Sequence, residues 1–371
     1  MRNNSDHAMF PEATHDEQSA QSFVKTLRVF TTNNFHAGNT AILADNPLSR
    51  RPNGSCPSRK ELREALEDEP HNKWWSSMMR TTQEVLYDTV GPSIERQLPE
   101  LIDRANSFRG TLGSLTLDDS VEMPPYLAAV DVHCKPGSYQ QEMSEDDVFA
   151  GAEFDRTYRL YSMGRLGPNL DGMGRTLVAW LKDHFSDAGP RRILDMGCTV
   201  GHSTLAYCDH FPDAEIHAID VAATCLRYGH ARAVAMGKEV HFSQQNAEHT
   251  NFDDGSFDLI VSTALLHETS RKAIRAIHKE CNRLLAPGGL MIHMDNIVPD
   301  KALEKYYCDW MARYNNEPYM GALQDEDMVA ICVEAGFDRD KIQLGEGIPR
   351  FRDKCLAENR AYGNLMVCAR K

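Results

Sequence analysis

Two carboxylates, each closing an apolar run, are the residues whose types and spacing first indicate chemistry. Asp195 follows "RRIL" and leads into a turn that contains Gly197 and Gly201, and Asp220 ends the next apolar run, 19 residues after Gly201. Glycine lets a backbone approach a ligand closely, and an acid about 20 residues further on can bind both hydroxyls of a ribose. The pattern predicts a nucleoside site. A packing turn at the glycines and a helix cap at Asp220 are the structural alternatives.

The glycine spacing separates two classes of nucleoside cofactor. A dinucleotide fingerprint would read G-x-G-x-x-G, but Thr199 and His202 occupy the third and sixth positions counted from Gly197. Asp195 would also repel a pyrophosphate, whereas a carboxylate suits a ligand with an ammonium group and a positive centre. S-adenosylmethionine carries both, so the turn favours this cofactor and disfavours an NAD-dependent oxidoreductase.

The elements that must position these residues alternate from about residue 151 onwards. Short apolar runs such as "RRILDMG", "AEIHAID", "FDLIVST" and "LMIHMD" predict strands, and helical patterns lie between them. Such alternation is typical of an α/β fold with a doubly wound, mostly parallel sheet. Ligands bind such sheets at the carboxyl ends of the strands, where both acids would lie.

Four stretches in order carry a family resemblance: "ILDMGCTVG", "AEIHAIDVAATCLRYGHARA", "QNAEHTNFDDGSFDLIVSTALLHE" and "RLLAPGGLMIHMD". They resemble successive motifs of class I SAM-dependent methyltransferases, in the small-molecule branch that includes ubiquinone and menaquinone biosynthesis enzymes. The resemblance covers roughly residues 151–371. It implies a seven-stranded Rossmann-like sheet whose last strand, "NLMVCARK", is antiparallel.

The resemblance also implies which residues bind S-adenosylmethionine. Those near its methionine end would be Asp195, Gly197, Cys198, Thr199 and Gly201. Asp220 would hold the ribose, Val221, Asn246 and Ala247 would lie near the adenine, and Thr263 would face the methyl-transfer centre. Two positions depart from the family pattern, because Thr199 replaces a glycine and Asn246 replaces an acid. An amide can still accept a hydrogen bond from the adenine amine, so the departures affect fine geometry rather than cofactor identity.

The residues expected to contact the methyl acceptor are indicated by weaker sequence patterns. His267, in "STALLHE", is a candidate to orient the acceptor or take its proton, since its ordinary pKa is near working pH; packing or helix capping is the alternative. Glu268 could instead bind an ammonium group. An insertion over 296–323 is the predicted lid, with an ordinary core-packed helix as its alternative. The candidate substrate residues are Tyr161, Tyr306, Tyr307, Trp310 and Tyr314.

The first 150 residues lie outside the resemblance. Residues 1–22 are polar and aperiodic, which predicts a disordered tail. Helical spacing between 23 and 150 predicts a mainly helical cap or oligomerisation region, so a homodimer is expected. We find no chemical motif in this region. A non-catalytic SAM-binding protein with this region as an interaction module is therefore the alternative to an enzyme.

The amino-acid composition limits the classes of binding partner that we expect. A net charge of −14 disfavours nucleic acid and anionic membranes as partners, and no apolar run approaches the length of a membrane span. The ten cysteines form no C-x-x-C pair, which predicts free thiols in a reducing, cytoplasmic compartment. "DVHC" and "HMD" contain metal-ligand types without a matched ligand set, so no metal is expected. The sequence favours a small-molecule acceptor but does not identify it.

Overall fold

A computed structural model describes residues 7–50, 57–186, 188–297, 302–347 and 364–371. Residues 1–6 of the predicted tail and 298–301 of the predicted lid lie outside this range. Within it, no helix is both long enough and apolar enough to cross a membrane. The eight described cysteines are free thiols, and all but the half-buried Cys208 are buried.

A mostly parallel sheet forms the centre of the molecule, which confirms the predicted α/β class. The described part of the sheet has eight strands in the order β1-β4-β3-β2-β5-β6-β8-β7, and β8 is antiparallel to both of its neighbours. The strands are β1 (Ser114–Thr116), β2 (Arg192–Met196), β3 (Glu215–Asp220), β4 (His241–Gln244), β5 (Phe257–Thr263), β6 (Leu285–Asp295), β7 (Ile342–Gly347) and β8 (Asn364–Arg370).

The predicted count of seven strands is wrong because the N-terminal region contributes β1 at one edge. Ser114 pairs in parallel with His241 of β4, and its N–H donates to the carbonyl of Val240. Gly113 permits this approach: its φ is +62°, and a Cβ there would lie 2.2 Å from the oxygen of Val240. Three residues without strong alternation give no strand signal in a sequence.

Helices cover both faces of the sheet. They are α1 (His15–Asp45), α2 (Arg59–Leu66), α3 (Pro70–Glu95), α4 (Leu98–Ser107), α5 (Pro125–Ala128), α6 (Phe149–Tyr161), α7 (Gly172–His184), α8 (Thr204–His210), α9 (Ala223–Ala235), α10 (Arg271–Leu284), α11 (Ala302–Tyr314), α12 (Pro318–Leu323) and α13 (Met328–Glu334). Short 3₁₀ turns include Val132–Cys134 and Leu266–Glu268.

The core explains why the central strands read as apolar runs. Successive residues of β2 point to opposite faces, so Ile193 joins the cluster that includes α7 while Leu194 joins the cluster that includes α10. Both are fully buried. Parallel strands covered on both faces carry apolar residues continuously, because neither face meets water.

The prediction of a disordered tail is wrong for residues 7–22. Helix α1 begins at His15 with a capping box, in which Thr14 accepts from the N–H of Glu17 and the Glu17 side chain accepts from the N–H of Thr14. Met9 and Phe10 before it are buried, at 0% and 6% exposure. The polar average composition of residues 1–22 does not indicate that Met9 and Phe10 are buried.

The N-terminal helices pack onto the sheet domain. Helix α1 packs on α3, α3 packs on α6, and α4 packs on α9. The buried cluster at this junction contains Val90 and Ile94 of α3 together with Cys225 and Tyr228 of α9. The predicted boundaries at 22 and 150 stay a prediction, because this contact alone does not define separate folding units.

Candidate functional site

A cavity of about 400 Å³ lies where β2, β3, β4 and β5 end. Its wall contains the turn after β2, the residues that follow β3 and β4, and the 3₁₀ turn Leu266–Glu268. Residues of α1, α3, α5, α6, α7, α10, α11 and α12 also line it. The cavity thus joins the sheet domain to the N-terminal helices.

The turn after β2 brings bare backbone to this cavity, as its glycines predicted. Gly197 has φ +71°, and a Cβ there would lie 2.7 Å from Cδ1 of Leu265. The N–H groups of Gly197 and Cys198 donate to the carbonyl of Ile219 at 2.8 and 3.0 Å. Gly197, Cys198 and Thr199 all line the cavity.

Thr199 adopts a conformation that favours glycine. Its φ is +50°, which is costly for a β-branched residue. Its N–H donates to Oδ2 of Asp220 at 2.9 Å. The residue that departs from the family pattern is therefore strained, yet its backbone still orients the acid at the end of the next strand.

Asp220 lines the cavity and is held by backbone donors. Its Oδ1 accepts the N–H of Ala222 at 3.0 Å, while Oδ2 accepts the N–H of Thr199. Burial raises the pKa of Asp220, although these hydrogen bonds oppose the rise. The N-cap of α9 is Ala222, so Asp220 is not the helix cap considered as its alternative role.

Two residues expected at the methionine end of the cofactor lie outside the set that lines the cavity. Asp195 is 1% exposed, and its Oδ2 accepts the hydroxyl of Thr204 at 2.6 Å at the start of α8. Burial raises the pKa of Asp195 to about 7. At Gly201 a Cβ would lie 3.2 Å from the ring of Phe242. The contact of these two residues with the cofactor stays a prediction.

The remaining cofactor candidates line the cavity. Val221, Ala247 and Thr263 do so, and Thr263 donates its hydroxyl to that of Ser203 at 2.9 Å. Asn246 also lines it, and its Oδ1 accepts the N–H of Glu248 at 2.9 Å. Gln245 is a further wall residue that the sequence did not single out.

A buried network of acids and histidines forms another part of the wall. Nδ1 of His267 lies 2.5 Å from Oδ1 of Asp295, and its Nε2 lies 3.6 Å from Oε1 of Glu268. The same Glu268 oxygen lies 2.9 Å from Nε2 of His133, whose Nδ1 lies 2.8 Å from Oε1 of Glu317. We call these five residues the acid–histidine network.

The acids raise the pKa of both histidines of the network. Burial lowers the pKa of His267, but Asp295, Glu268 and Glu317 outweigh burial and raise it to about 9. Burial likewise lowers the pKa of His133, while Glu317 and Glu268 raise it well above its ordinary value. The carboxyl groups of the network thus favour the protonated form of both imidazoles. The pKa of His267 in this network thus lies above the ordinary value on which its candidacy as a proton acceptor was based.

Sequence reasoning missed two members of the network. His133 comes from "DVHC", which as a sequence suggests only a metal motif, and Glu317 comes from the predicted lid. Its φ of +56° marks His133 as strained, and such strain is common at functional sites. Oε2 of Glu317 is buried without a hydrogen-bond partner among the described residues. No spacing in the sequence signals a contact between positions so far apart.

The aromatic candidates divide between two environments. Tyr161 and Tyr307 line the cavity. Tyr306 instead donates to Oδ1 of Asn72 at 2.8 Å, and Trp310 donates to Oγ of Ser76 at 3.0 Å, so both pack against α3. Tyr314 is 38% exposed and packs against Trp310. The expectation of a substrate-lining face is therefore wrong for Tyr306, Trp310 and Tyr314.

Among the described residues, no cluster of three or more His, Cys, Asp or Glu has the arrangement of a metal site. The acid of "HMD" is Asp295, and Nδ1 of His267 accounts for one of its oxygens. The histidine of that segment, His293, is buried and contacts the hydroxyl of Ser262 at 2.6 Å. Both side chains of this segment thus have partners within the protein: Asp295 contacts His267, and His293 contacts Ser262.

Comparison with known proteins identifies part of the chain. Residues 193–289 match the model of a methyltransferase domain. A demethylmenaquinone methyltransferase of Thermus thermophilus is 30% identical over 146 residues, which cover 37% of this chain and 64% of that protein. A malonyl-[acyl-carrier protein] O-methyltransferase of Geobacter sulfurreducens is 26% identical over 178 residues, covering 44% and 63%. The chain thus spans less than two thirds of either relative.

Among solved structures, the chain is similar to phosphoethanolamine N-methyltransferase 2 of Haemonchus contortus in complex with S-adenosyl-L-methionine. The TM-score is 0.41 at 16% identity, over 52% of this chain and 51% of that one. The family comparisons confirm the resemblance read from the sequence motifs. Residues 193–289 are therefore identified as a methyltransferase domain, and S-adenosylmethionine is the cofactor that the comparisons support for it.

Proposed function

We propose that this chain, which contains a class I SAM-dependent methyltransferase domain, transfers a methyl group from S-adenosylmethionine to a small molecule. The observation that carries the proposal is a shared cavity. The residues expected to bind the nucleoside, among them Asp220 and Val221, line the same cavity as His267, Glu268 and Glu317. A cofactor and an acceptor bound there would be neighbours.

The residues present fit the cofactor. Asp220 offers carboxylate lone pairs for the ribose hydroxyls, because two backbone N–H groups hold its orientation without consuming its capacity to accept. Gly197 leaves the backbone bare at the cavity wall. Val221 and Ala247 supply apolar surface for a flat base. When bound, S-adenosylmethionine would supply an electrophilic methyl group.

The acid–histidine network would handle the proton of the acceptor. The surrounding acids raise the pKa of both imidazoles and so favour their protonated forms, which makes a carboxylate the better acceptor of that proton. Oε2 of Glu317 has no hydrogen-bond partner among the described residues and belongs to a residue of the cavity wall. We assign to Glu317 the role of accepting the proton of the acceptor's O–H or N–H group. We assign to His267 a positioning role, which it exerts through its contact with Glu268. Holding the reactants in a water-poor cavity would supply much of the remaining rate.

Calorimetry tests the cofactor site. Asp220→Ala is expected to weaken S-adenosylhomocysteine binding by about 1.5–3 kcal/mol, the usual loss for a hydrogen bond to a charged group. Asp213→Ala, at an exposed acid before β3, is the matched control and should bind normally. Unchanged affinity in Asp220→Ala, with the fold intact by circular dichroism, would contradict the cofactor assignment.

A turnover assay separates an enzyme from a SAM-binding regulator. The full chain is incubated with labelled S-adenosylmethionine and a small-molecule extract, and mass spectrometry follows S-adenosylhomocysteine and labelled products. We expect labelled small molecules, with Glu317→Gln lowering kcat about 10²–10⁴-fold while cofactor affinity is kept. Binding without label transfer would support the regulator. A homodimer remains a prediction that sedimentation equilibrium tests.

A further inference from the structure

An arginine of the N-terminal region lies in the cavity wall. Arg28 belongs to α1, is 4% exposed and lines the same cavity as Asp220 and Glu317. No sequence pattern singles it out, because we find no chemical motif in this region. A charged residue buried this deeply is rare without a partner of opposite charge.

The contacts of Arg28 orient the guanidinium without neutralising it. Its Nη1 donates to Oε1 of Gln83 at 2.7 Å, and its guanidinium carbon lies 4.2 Å from the ring centroid of Tyr161. Neither group carries a negative charge. Throughout the described ranges, no carboxylate forms an ion pair with Arg28.

Gln83 links this cation to the acid–histidine network. While its Oε1 accepts from Arg28, its Nε2 donates to the carbonyl of His133 at 2.9 Å. The ring of Tyr161 is 6.4 Å from that of His133. Arg28 is thus held close to the residues assigned to the acceptor's proton, by side chains that themselves are largely buried.

We propose that Arg28 binds an anionic group, a carboxylate or a phosphate, of the molecule that is methylated. The inference rests on the proposed function, which places the acceptor in this cavity. The guanidinium fork matches both oxyanions, and in a buried site its hydrogen bonds to a charged acceptor are strong. Binding would also supply a counter-charge that no described residue provides through an ion pair with Arg28.

The surroundings narrow the acceptor further. The cavity wall near these residues includes Met79, Tyr161, Tyr307 and Met311, which suit an apolar or aromatic body. The acid–histidine network favours a group with a proton to give. We therefore infer a small organic anion with an apolar body and an O–H or N–H nucleophile.

Calorimetry with matched pairs of small molecules tests this assignment. The probes are benzoate with benzyl alcohol, 4-hydroxybenzoate with 4-hydroxybenzyl alcohol, and phenyl phosphate with phenol, each titrated into the full chain saturated with S-adenosylhomocysteine. We expect at least one anion to bind at least about tenfold more tightly than its neutral partner, which corresponds to 1.4 kcal/mol. The carboxylate and phosphate arms decide which oxyanion is preferred.

Variants assign the preference to Arg28. Arg28→Met keeps an unbranched side chain without charge and should reduce the preference to about onefold, whereas Arg28→Lys keeps the charge without the planar fork and should retain part of it. Lys25→Met, one turn earlier in α1, is the charge-matched control and should behave as wild type. A wild-type chain with no preference in any pair overturns the proposal. So does a preference that survives in Arg28→Met.

The same titrations distinguish the two proposals. Binding of S-adenosylhomocysteine is measured first, and its absence would count against the proposed function. The anion preference is then measured again without that ligand, because Arg28 and its contacts belong to the chain itself. A preference that depends on Arg28 in the absence of cofactor binding would support the anion site alone. Normal cofactor binding without anion preference would overturn only the present inference.

Discussion

Asp295→Asn tests whether a buried carboxylate keeps His267 protonated. The two side chains are 1% and 5% exposed, and Oδ1 of Asp295 lies 2.5 Å from Nδ1 of His267. Burial lowers the pKa of His267, but Asp295, with smaller contributions from Glu268 and Glu317, raises it from 6.5 to about 9. At 1.36 kcal/mol for each tenfold change in acidity, this rise corresponds to about 3 kcal/mol.

The contribution depends on pH in a definite direction. Because the pKa of His267 is higher in the folded chain than in the unfolded chain, the stabilisation is fully present below about pH 6.5. It is lost as the pH rises through about 9. We therefore expect Asp295→Asn to lower the free energy of unfolding by about 2–3 kcal/mol more at low pH than at high pH. Asp295 also accepts the N–H of Leu266 at 2.6 Å, so part of the loss will not depend on pH.

Urea unfolding, followed by circular dichroism, measures this difference. The measurements run from about one pH unit below 6.5 to about one pH unit above 9. The double variant Asp295→Asn, His267→Gln against His267→Gln alone is the control, since the pH-dependent part must vanish when the imidazole is absent. A destabilisation by Asp295→Asn that is constant over this range would refute the reasoning. So would one that grows towards high pH.

Two further predictions concern the backbone and the N-terminus. Thr199→Gly should raise the free energy of unfolding by up to about 1 kcal/mol in urea titrations, because relief of the +50° φ outweighs the greater entropy of unfolded glycine; a loss above about 1 kcal/mol would contradict the strain. Deleting residues 1–13 should cost about 3–6 kcal/mol, since it removes the buried Met9 and Phe10. Thermal unfolding measures the effect of this deletion. An unchanged midpoint would support the prediction of a disordered tail.

The nucleoside side of the cavity was predictable because it is local in sequence. Asp220 ends β3 and Val221 follows it, Asn246 and Ala247 follow β4, and parallel strands present such positions at one edge of a sheet. Asp195 shows the limit of this argument. Successive residues of a strand face opposite sides, and Asp195 points to Thr204 of α8 instead of the cavity.

The helix of the predicted lid shows a second limit. Its aromatic residues predicted an apolar face, and α11 does have one. Periodicity does not state what covers such a face, and the covering elements are α1, α2 and α3, more than 200 residues earlier in the chain. Tyr306 and Trp310 therefore bind side chains of α3, while Tyr307 lines the cavity. Tyr306 and Tyr307 are adjacent in sequence but point in different directions from the helix, so one contacts α3 and the other lines the cavity.

The acid–histidine network gives the N-terminal region a role beyond covering the site. Asp295, His267, Glu268 and Glu317 come from the sheet domain, but His133 comes from the region before it and lies between two of the acids. Without His133, the buried Glu317 would lose the ring nitrogen that lies 2.8 Å from it, and Glu268 would keep only the more distant His267, at 3.6 Å. Removing one partner of a buried pair is strongly unfavourable. Arg28 and β1 come from the same region. A fragment of residues 151–371 would retain Asp220 and His267 yet lose the groups that balance the acids, so the N-terminal region is better regarded as part of the active unit than as a detachable cap.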